Sequence, residues 1–426
     1  MFRLSLLAIA LLLVAPTGVP ASAQQAETAT TGGRVDVSPR SVAFEYADRP
    51  NLTFGVDGDT RLVFVTEPLA RRIAVLDRFL GQQVAEVPAP PGGFLLPFSV
   101  RVPGPGRLVV LDPGGSPNST VPAIARVYDY NYEWNPLTRT FTAWLTRTVS
   151  LAGLPVVFAE EVEITESGLY IVAESVIGAL WVIRPDGSVA PGVVPSPGSS
   201  IPTLGPCTLP PVTVDGIQFV TAGNFAPGVL SLAARDGQLF FGTTCNGGLH
   251  RIPLRSLVDP SRTPEQRAQD IVAVSPRPPG TVETFEGLAV NRFAAHDDGV
   301  YAADSFNLRI LRIDPRTGAR EVIASDALPF NFPVRLQFLP PIVTGSPPLL
   351  VVALRSGTST CGDQCRANRG SPAAALDCCQ GGRVWPRLKH RQYCHASRSG
   401  KELLLRGHTP PRSLTADLAA RLAALA

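Results

Sequence analysis

Side chains able to do chemistry are thinly spread along these 426 residues, and most have a structural explanation at hand. Asp304, in Ala303-Asp304-Ser305, has the look of a catalytic carboxylate at a strand end. Glu67, Asp112 and Glu174 stand at comparable places elsewhere, so the expected role is to accept hydrogen bonds where a strand turns. Asp59 and the pair Asp297-Asp298 are turn residues of the kind that stabilise tight bends. Cys207 and Cys245 flank one β segment, and in an exported chain they would form a disulfide. His250 lies in a strand and is expected to be packed. The chain has no Gly-rich phosphate loop, no Gly-x-Ser-x-Gly, and no Cys/His spacing of a structural zinc site.

The elements that must position any site are short strands. Residues 285–318 read as three of them: one carrying Leu288 and Val290, one at 300–303 and one at 310–313, followed by the turn Asp314-Pro315-Arg316-Thr317-Gly318. Alternation over four to six residues, bounded by Asp, Asn, Gly and Pro, marks antiparallel strands. The second strand recurs as Leu62-Val63-Phe64-Val65, Leu108-Val109-Val110-Leu111, Leu169-Tyr170-Ile171-Val172, Leu239-Phe240-Phe241-Gly242 and Leu349-Leu350-Val351-Val352. Six sheet modules at spacings of some tens of residues imply an all-β fold, a six-bladed β-propeller. A two-sheet sandwich ranks second, because it does not explain repetition at whole-sheet spacing. An open ring would leave sheet edges unpaired, so part of 35–44 is expected to complete the last sheet. Residues 138–149 read as an outer strand leading into the third module.

The stretch Gly287-Leu288-Ala289-Val290, a strand ending Ala303-Asp304-Ser305, then Asn307-Leu308-Arg309-Ile310-Leu311-Arg312-Ile313-Asp314 resembles the repeat of NHL-repeat propellers and of the senescence marker protein/gluconolactonase family, with strictosidine-synthase-like relatives. The resemblance covers residues 51–352 at repeat level. It implies that the residue before the Gly of Gly-Leu-Ala-Val faces the central channel, where oxygen ligands from several blades hold a divalent cation, usually calcium. That ion would polarise a carbonyl and activate water. Carried over by position, the resemblance names Glu286 and Glu160 as catalytic residues and metal ligands. The other matching positions are Leu52, Phe98, Leu230 and Phe332, a departure from the hydrolase pattern at four of six blades. Asn224 is a further metal candidate, and Asn51, Glu161 and Asn331 are near neighbours should the register slip, since one residue reverses the face. Without a metal, the two glutamates would serve as a general base toward an apolar substrate, with the pKa of Glu286 raised by burial.

The ends of the chain differ from its middle. Arg3, an apolar run at 4–14 and Ala21-Ser22-Ala23 read as a signal peptide over 1–23, followed by a flexible leader at 24–33 and the propeller at 34–356. Residues 357–426 hold five of seven Cys, three of five His and eleven basic against four acidic residues. This tail is expected to be irregular, either a disulfide-stapled appendage or the product of an altered reading frame, and the third strand of the sixth module is missing where the repeat calls for it. A net charge of +3 makes no case for nucleic acid, and no later apolar run is long enough for a membrane span. The expected function is that of a secreted or extracytoplasmic, divalent-cation-dependent lactone or ester hydrolase acting on a small molecule in its channel. The alternatives are a non-catalytic propeller that binds a protein or glycan, and a metal-free, strictosidine-synthase-like channel with a Glu base.

Overall fold

The computed structural model describes residues 37–45, 53–115, 123–193, 228–354 and 401–407, with short breaks at 245–246, 280, 295, 326–332 and 343–347, and four short strands between 207 and 225. The expected signal peptide and leader, Leu52, Phe332, Asn51, Asn331, Cys245 and nearly all of the tail lie outside the described residues.

The fold is an all-β propeller. Five blades are each made of four antiparallel strands consecutive within their sheet. The first comprises Val56–Gly58, Leu62–Glu67, Arg72–Asp77 and Gln82–Glu86, and the second Ser99–Gly104, Arg107–Asp112, Arg126–Asn135 and Thr140–Ser150. The third comprises Ala159–Ile164, Tyr170–Glu174, Leu180–Ile183 and Val189–Val193, and the fourth Val229–Arg235, Gln238–Thr243, Leu249–Pro253 and Val272–Ser275. The fifth is Phe285–Val290, Val300–Asp304, Arg309–Ile313 and Arg320–Ser325. A further four-stranded sheet continues Pro333–Leu339 and Leu349–Leu354 with Lys401–Gly407 and, outermost, Val37–Glu45. One correction follows: the strand expected to be missing after Leu349–Leu354 is supplied by Lys401–Gly407, nearly fifty residues downstream. The outer strand expected over 138–149 is Thr140–Ser150, outermost in the second blade and leading into the third.

Burial follows position in the blade. Each blade is covered on both faces by its neighbours, so the second strands are buried beyond their first residue and centre on apolar runs, whereas the outermost Thr140–Ser150 alternates between exposed and half-buried over most of its length. Two short helices, Leu254–Val258 and Pro264–Ala268, precede the last strand of the fourth blade. The second is started by a capping box in which Thr263 and Gln266 exchange side-chain and backbone hydrogen bonds. At five residues each, they are too short to show a helical period in sequence. None of the helices among the described residues is long and apolar enough to cross a membrane.

The innermost strands pack one against the next around the axis, with Pro333–Leu339 returning to Val56–Gly58. Side chains tie each to its successor. The Ser99 hydroxyl accepts from the Val162 N–H at 3.4 Å, Glu161 accepts from the Leu232 N–H at 2.8 Å, and the Ser231 hydroxyl donates to the Phe285 carbonyl at 2.6 Å. Where no such tie exists the residue is Gly287, and a Cβ there would stand 2.7 Å from the Cα of Arg335. The close approach of two backbones, not a turn, demands this glycine.

The strand-end carboxylates do what their position implies. Glu174 accepts from the N–H groups of Phe158 (2.9 Å) and Val176 (3.1 Å), and Asp112 from those of Leu95 (2.7 Å) and Leu96 (2.9 Å). Asp304 takes the side chains of Asn307 at 2.7 Å and Arg309 at 2.8 Å.

Gly287→Ala should therefore lower stability by about 1–3 kcal/mol, the range for overpacking. Gly104→Ala, with nothing within 4 Å of its added methyl, should stay within about 0.5 kcal/mol. Denaturant midpoints of the two variants check this.

Candidate active site

Four of the candidate slots are created by a β-bulge at the start of an innermost strand. In the third blade Ala159 faces Glu174 and Glu161 faces Ala173, so Glu160 is the extra residue. The same irregularity isolates Leu230 between Val229 and Ser231, Glu286 between Phe285 and Gly287, and Val334 between Pro333 and Arg335. A bulge of this kind re-aims one side chain out of the alternation. In the first two blades the equivalent residues are Phe54 and Phe98, directly before the partners of Thr66 and Leu111. The sequence reading placed Leu52 and Phe332 in two of these slots. The register puts Phe54 and Val334 there, two residues later, and leaves the character of the ring unchanged: two glutamates among four apolar residues.

The apolar part is packed. The Phe54 and Phe98 rings stack with centroids 4.0 Å apart, and Phe98 meets Phe158 edge-on at 5.1 Å. Glu160 is 8% exposed beside this cluster. Burial pushes its carboxyl up to about 8, with the guanidinium of Arg335 opposing and the charge of Glu286 adding to the rise. Glu160 and Glu286 sit in nonadjacent blades yet lie close enough for one charge to act on the other. The shift favours the protonated form of Glu160, and Glu286 is its half-buried neighbour.

Directly below, the axis is filled by ions. Glu161 is fully buried, pairs with Arg101, and lies 3.8 Å from the Nε of Arg335. Arg101 also donates to Glu163 at 2.9 Å, and Arg292 reaches Glu163 from the fifth blade at 3.2 Å. Asp57 accepts from the Val102 N–H at 2.7 Å and from Gln337 at 3.3 Å, and burial pushes its carboxyl up to about 6 despite Arg101. Arg335 is 1% exposed; its Nη2 donates to the Glu160 carbonyl at 3.3 Å and stands 3.8 Å from the Glu160 carboxylate. Apart from Glu161, noted only as a near neighbour, sequence reasoning missed this cluster. The one available signal was that positions two residues apart on innermost strands, such as Asp57, Arg101 and Glu163, are charged where the other blades have Ala233 and Ala289.

The residues do not fit a divalent cation. A hard ion of this kind takes six or more oxygens, and the bulge ring offers two carboxylates with four hydrocarbon side chains. The carboxylates below already hold guanidinium groups and backbone N–H donors. Among the described residues no group of three or more His, Cys, Asp or Glu side chains could hold a metal ion. Asn224 lies in the strand Gly223–Phe225, paired with Cys207–Leu209 in a separate two-stranded sheet. It is therefore not on the innermost strand of the fourth blade, where Leu230 holds the slot. The cation nearest the Glu160 carboxyl is the guanidinium of Arg335, at 3.8 Å.

No family model matches this chain, and no curated protein matches it. Solved structures match it in outline. A calcium-binding protein, regucalcin, from Agrobacterium tumefaciens is 12% identical with a TM-score of 0.46, covering 86% of this chain and 97% of its own. The PQQ-bound aldose sugar dehydrogenase from Streptomyces coelicolor gives 13% and 0.47, covering 87% and 97%. A gluconolactonase from Xanthomonas campestris gives 11% and 0.42, covering 72% and 84%. The structures similar in outline thus include the gluconolactonase group that the repeat resembles. At these values no site residue is transferred from them.

Removing one partner from a buried ion cluster strands the other charges, so Arg335→Met should cost about 3–5 kcal/mol, read from chemical denaturation. The raised carboxyls set a pH dependence. Glu160 binds its proton more tightly folded than unfolded, so its contribution is fully present below the ordinary value of 4.5 and is lost as pH rises to about 8. Asp57 acts in the same direction between 3.8 and about 6. Melting temperature should fall from pH 5 to pH 8, and Glu160→Gln should flatten the upper part of that slope.

Proposed function

We propose that this chain is an exported, six-bladed propeller that hydrolyses a lactone or ester of a small, largely apolar molecule without a metal, using Glu286 and Glu160 as base and acid. In this reading Lys401–Gly407 and Val37–Glu45 complete the sixth blade. The observation that carries the proposal is a buried glutamate, its carboxyl pushed up to about 8, beside a second, half-buried glutamate, in a ring otherwise made of Phe54, Phe98, Leu230 and Val334. Two carboxyl groups whose environments differ are the usual way to obtain an acid and a base from one residue type.

The chemistry balances simply. The Glu286 carboxylate takes a proton from water as its oxygen bonds to the carbonyl carbon. The Glu160 carboxylic acid donates a hydrogen bond to the substrate oxygen and then its proton to the departing alkoxide. The products are an acid and an alcohol, or one hydroxy acid from a lactone, and solvent returns a proton from Glu286 to Glu160. Arg335 steadies the negative charge that Glu160 carries between turnovers. The hydrocarbon ring limits competing water, which strengthens each of these interactions.

A panel of γ- and δ-lactones and aryl esters tests this. Glu286→Gln should lower kcat/KM by about 10²–10⁴-fold, activity should fall on the alkaline side with a midpoint near 8 as Glu160 loses its proton, and chelators should leave the rate unchanged. Folded protein that turns over nothing in the panel, or a Glu286→Gln variant of full activity, would end the proposal.

A further inference from the structure

At the far end of the innermost strands from Glu160 and Glu286, a cleft of about 450 Å³ opens between the second and third blades. It is lined by Arg107, Asp129, Thr146, Arg147, Ser167 and Gly168. Arg107 begins the second strand of its blade, Arg147 comes from the outermost strand, and Ser167-Gly168 form the turn after Ala159–Ile164. No part of the reaction proposed above uses these residues.

The two arginines are held in place. Arg147 donates from Nε to Asp129 at 2.7 Å and from Nη1 to the Pro185 carbonyl at 2.7 Å. Arg107 donates from Nη2 to Asp129 at 3.3 Å and to the Tyr170 hydroxyl. Tyr170 in turn donates to Asp129 at 2.5 Å. Both guanidinium groups lie over the Tyr170 ring, at 5.7 Å for Arg107 and 5.1 Å for Arg147. One carboxylate, 7% exposed, thus fixes two cations that remain 43% and 28% exposed. Asp129 is the only acid lining the cleft, and Glu166 and Asp186 lie on the adjacent turns, outside its lining.

This arrangement leaves an excess positive charge and unused donors. The hydrogen bonds of Arg107 to described residues run from Nη2, which leaves its Nε and Nη1 to face a ligand. Guanidinium forks fixed in this way suit the paired oxygens of a carboxylate or phosphate. Prior ordering by Asp129 and the Tyr170 ring reduces the entropy lost when a ligand docks. The volume lies within the range that holds a small organic ligand, and Ser167 can turn a hydroxyl toward it.

We propose that this cleft binds an oxyanion carried on a molecule of monosaccharide size, with Arg107 and Arg147 gripping the oxyanion. The test is calorimetric titration of the full chain at low ionic strength with inorganic phosphate and, separately, with glucuronate, against chloride at matched strength. Saturable one-to-one binding is expected. Arg107→Gln should weaken it at least about tenfold, as loss of charge-assisted hydrogen bonds requires. Arg107→Lys should recover only part, because it restores the charge but not the fork. Binding of phosphate alone identifies a phosphate ester as the natural ligand class, and binding of glucuronate alone identifies a carboxylate. Arg107 is half-exposed, so its variants report on binding even if Arg147→Gln fails to fold. Saturation by neither probe, or titrations identical in Arg107→Gln, would overturn the proposal, and because Glu286 is untouched either result is separable from loss of hydrolysis.

Discussion

The interaction on which the propeller depends is the buried ion cluster along its axis. Arg101, Glu161, Glu163 and Arg335 are each nearly inaccessible, and they come from three different sheets. Desolvating such charges is costly, and only mutual pairing together with backbone donors offsets it. Arg335, on the strand that closes the ring, reaches Glu160 and Glu161 of the third blade. That strut constrains how far the innermost strands can separate, and the site above it inherits its geometry.

The same cluster only partly offsets the burial that raises the carboxyl of Glu160. A glutamate beside stacked phenylalanines loses solvation. The nearest cation, Arg335, is shared with Glu161, so it restores only part of what burial removes. A divalent ion on the axis would pull the carboxyl down. A shared guanidinium leaves it raised. That direction of shift is what separates the proposed acid–base reading from a cation-dependent one.

Away from the axis, each blade is stabilised by repeated local devices. Carboxylates at the ends of second strands gather the N–H groups of the turns, as Glu174 and Asp112 do. Small residues at the blade-to-blade approach, Ser99, Ser231 and Gly287, either exchange a hydrogen bond with the next strand or leave room for it. Where Glu161 and Arg335 occupy that position instead, their side chains supply the axial cluster. The departures from the small-residue rule are the residues with the most unusual environments.

Much of the fold was legible in the residues themselves. Unbroken apolar second strands, turn-forming Asp and Gly, and the recurrence of the module follow from short-range pattern, which needs no knowledge of partners. So did the assignment of Glu67, Asp112, Glu174 and Asp304 to strand ends, and of Glu160 and Glu286 to equivalent positions. Three matters were decided only in three dimensions. Strand register moved two slots to Phe54 and Val334, the second by a bulge, because register is a property of a strand pair and leaves no mark on either strand alone. Lys401–Gly407 joined Leu349–Leu354 across a long separation, where local pattern has no reach. The raised carboxyl of Glu160 and the pairing of Arg101 and Arg335 depend on which groups meet across the axis, and a linear chain does not specify which blades stand opposite each other until the ring closes.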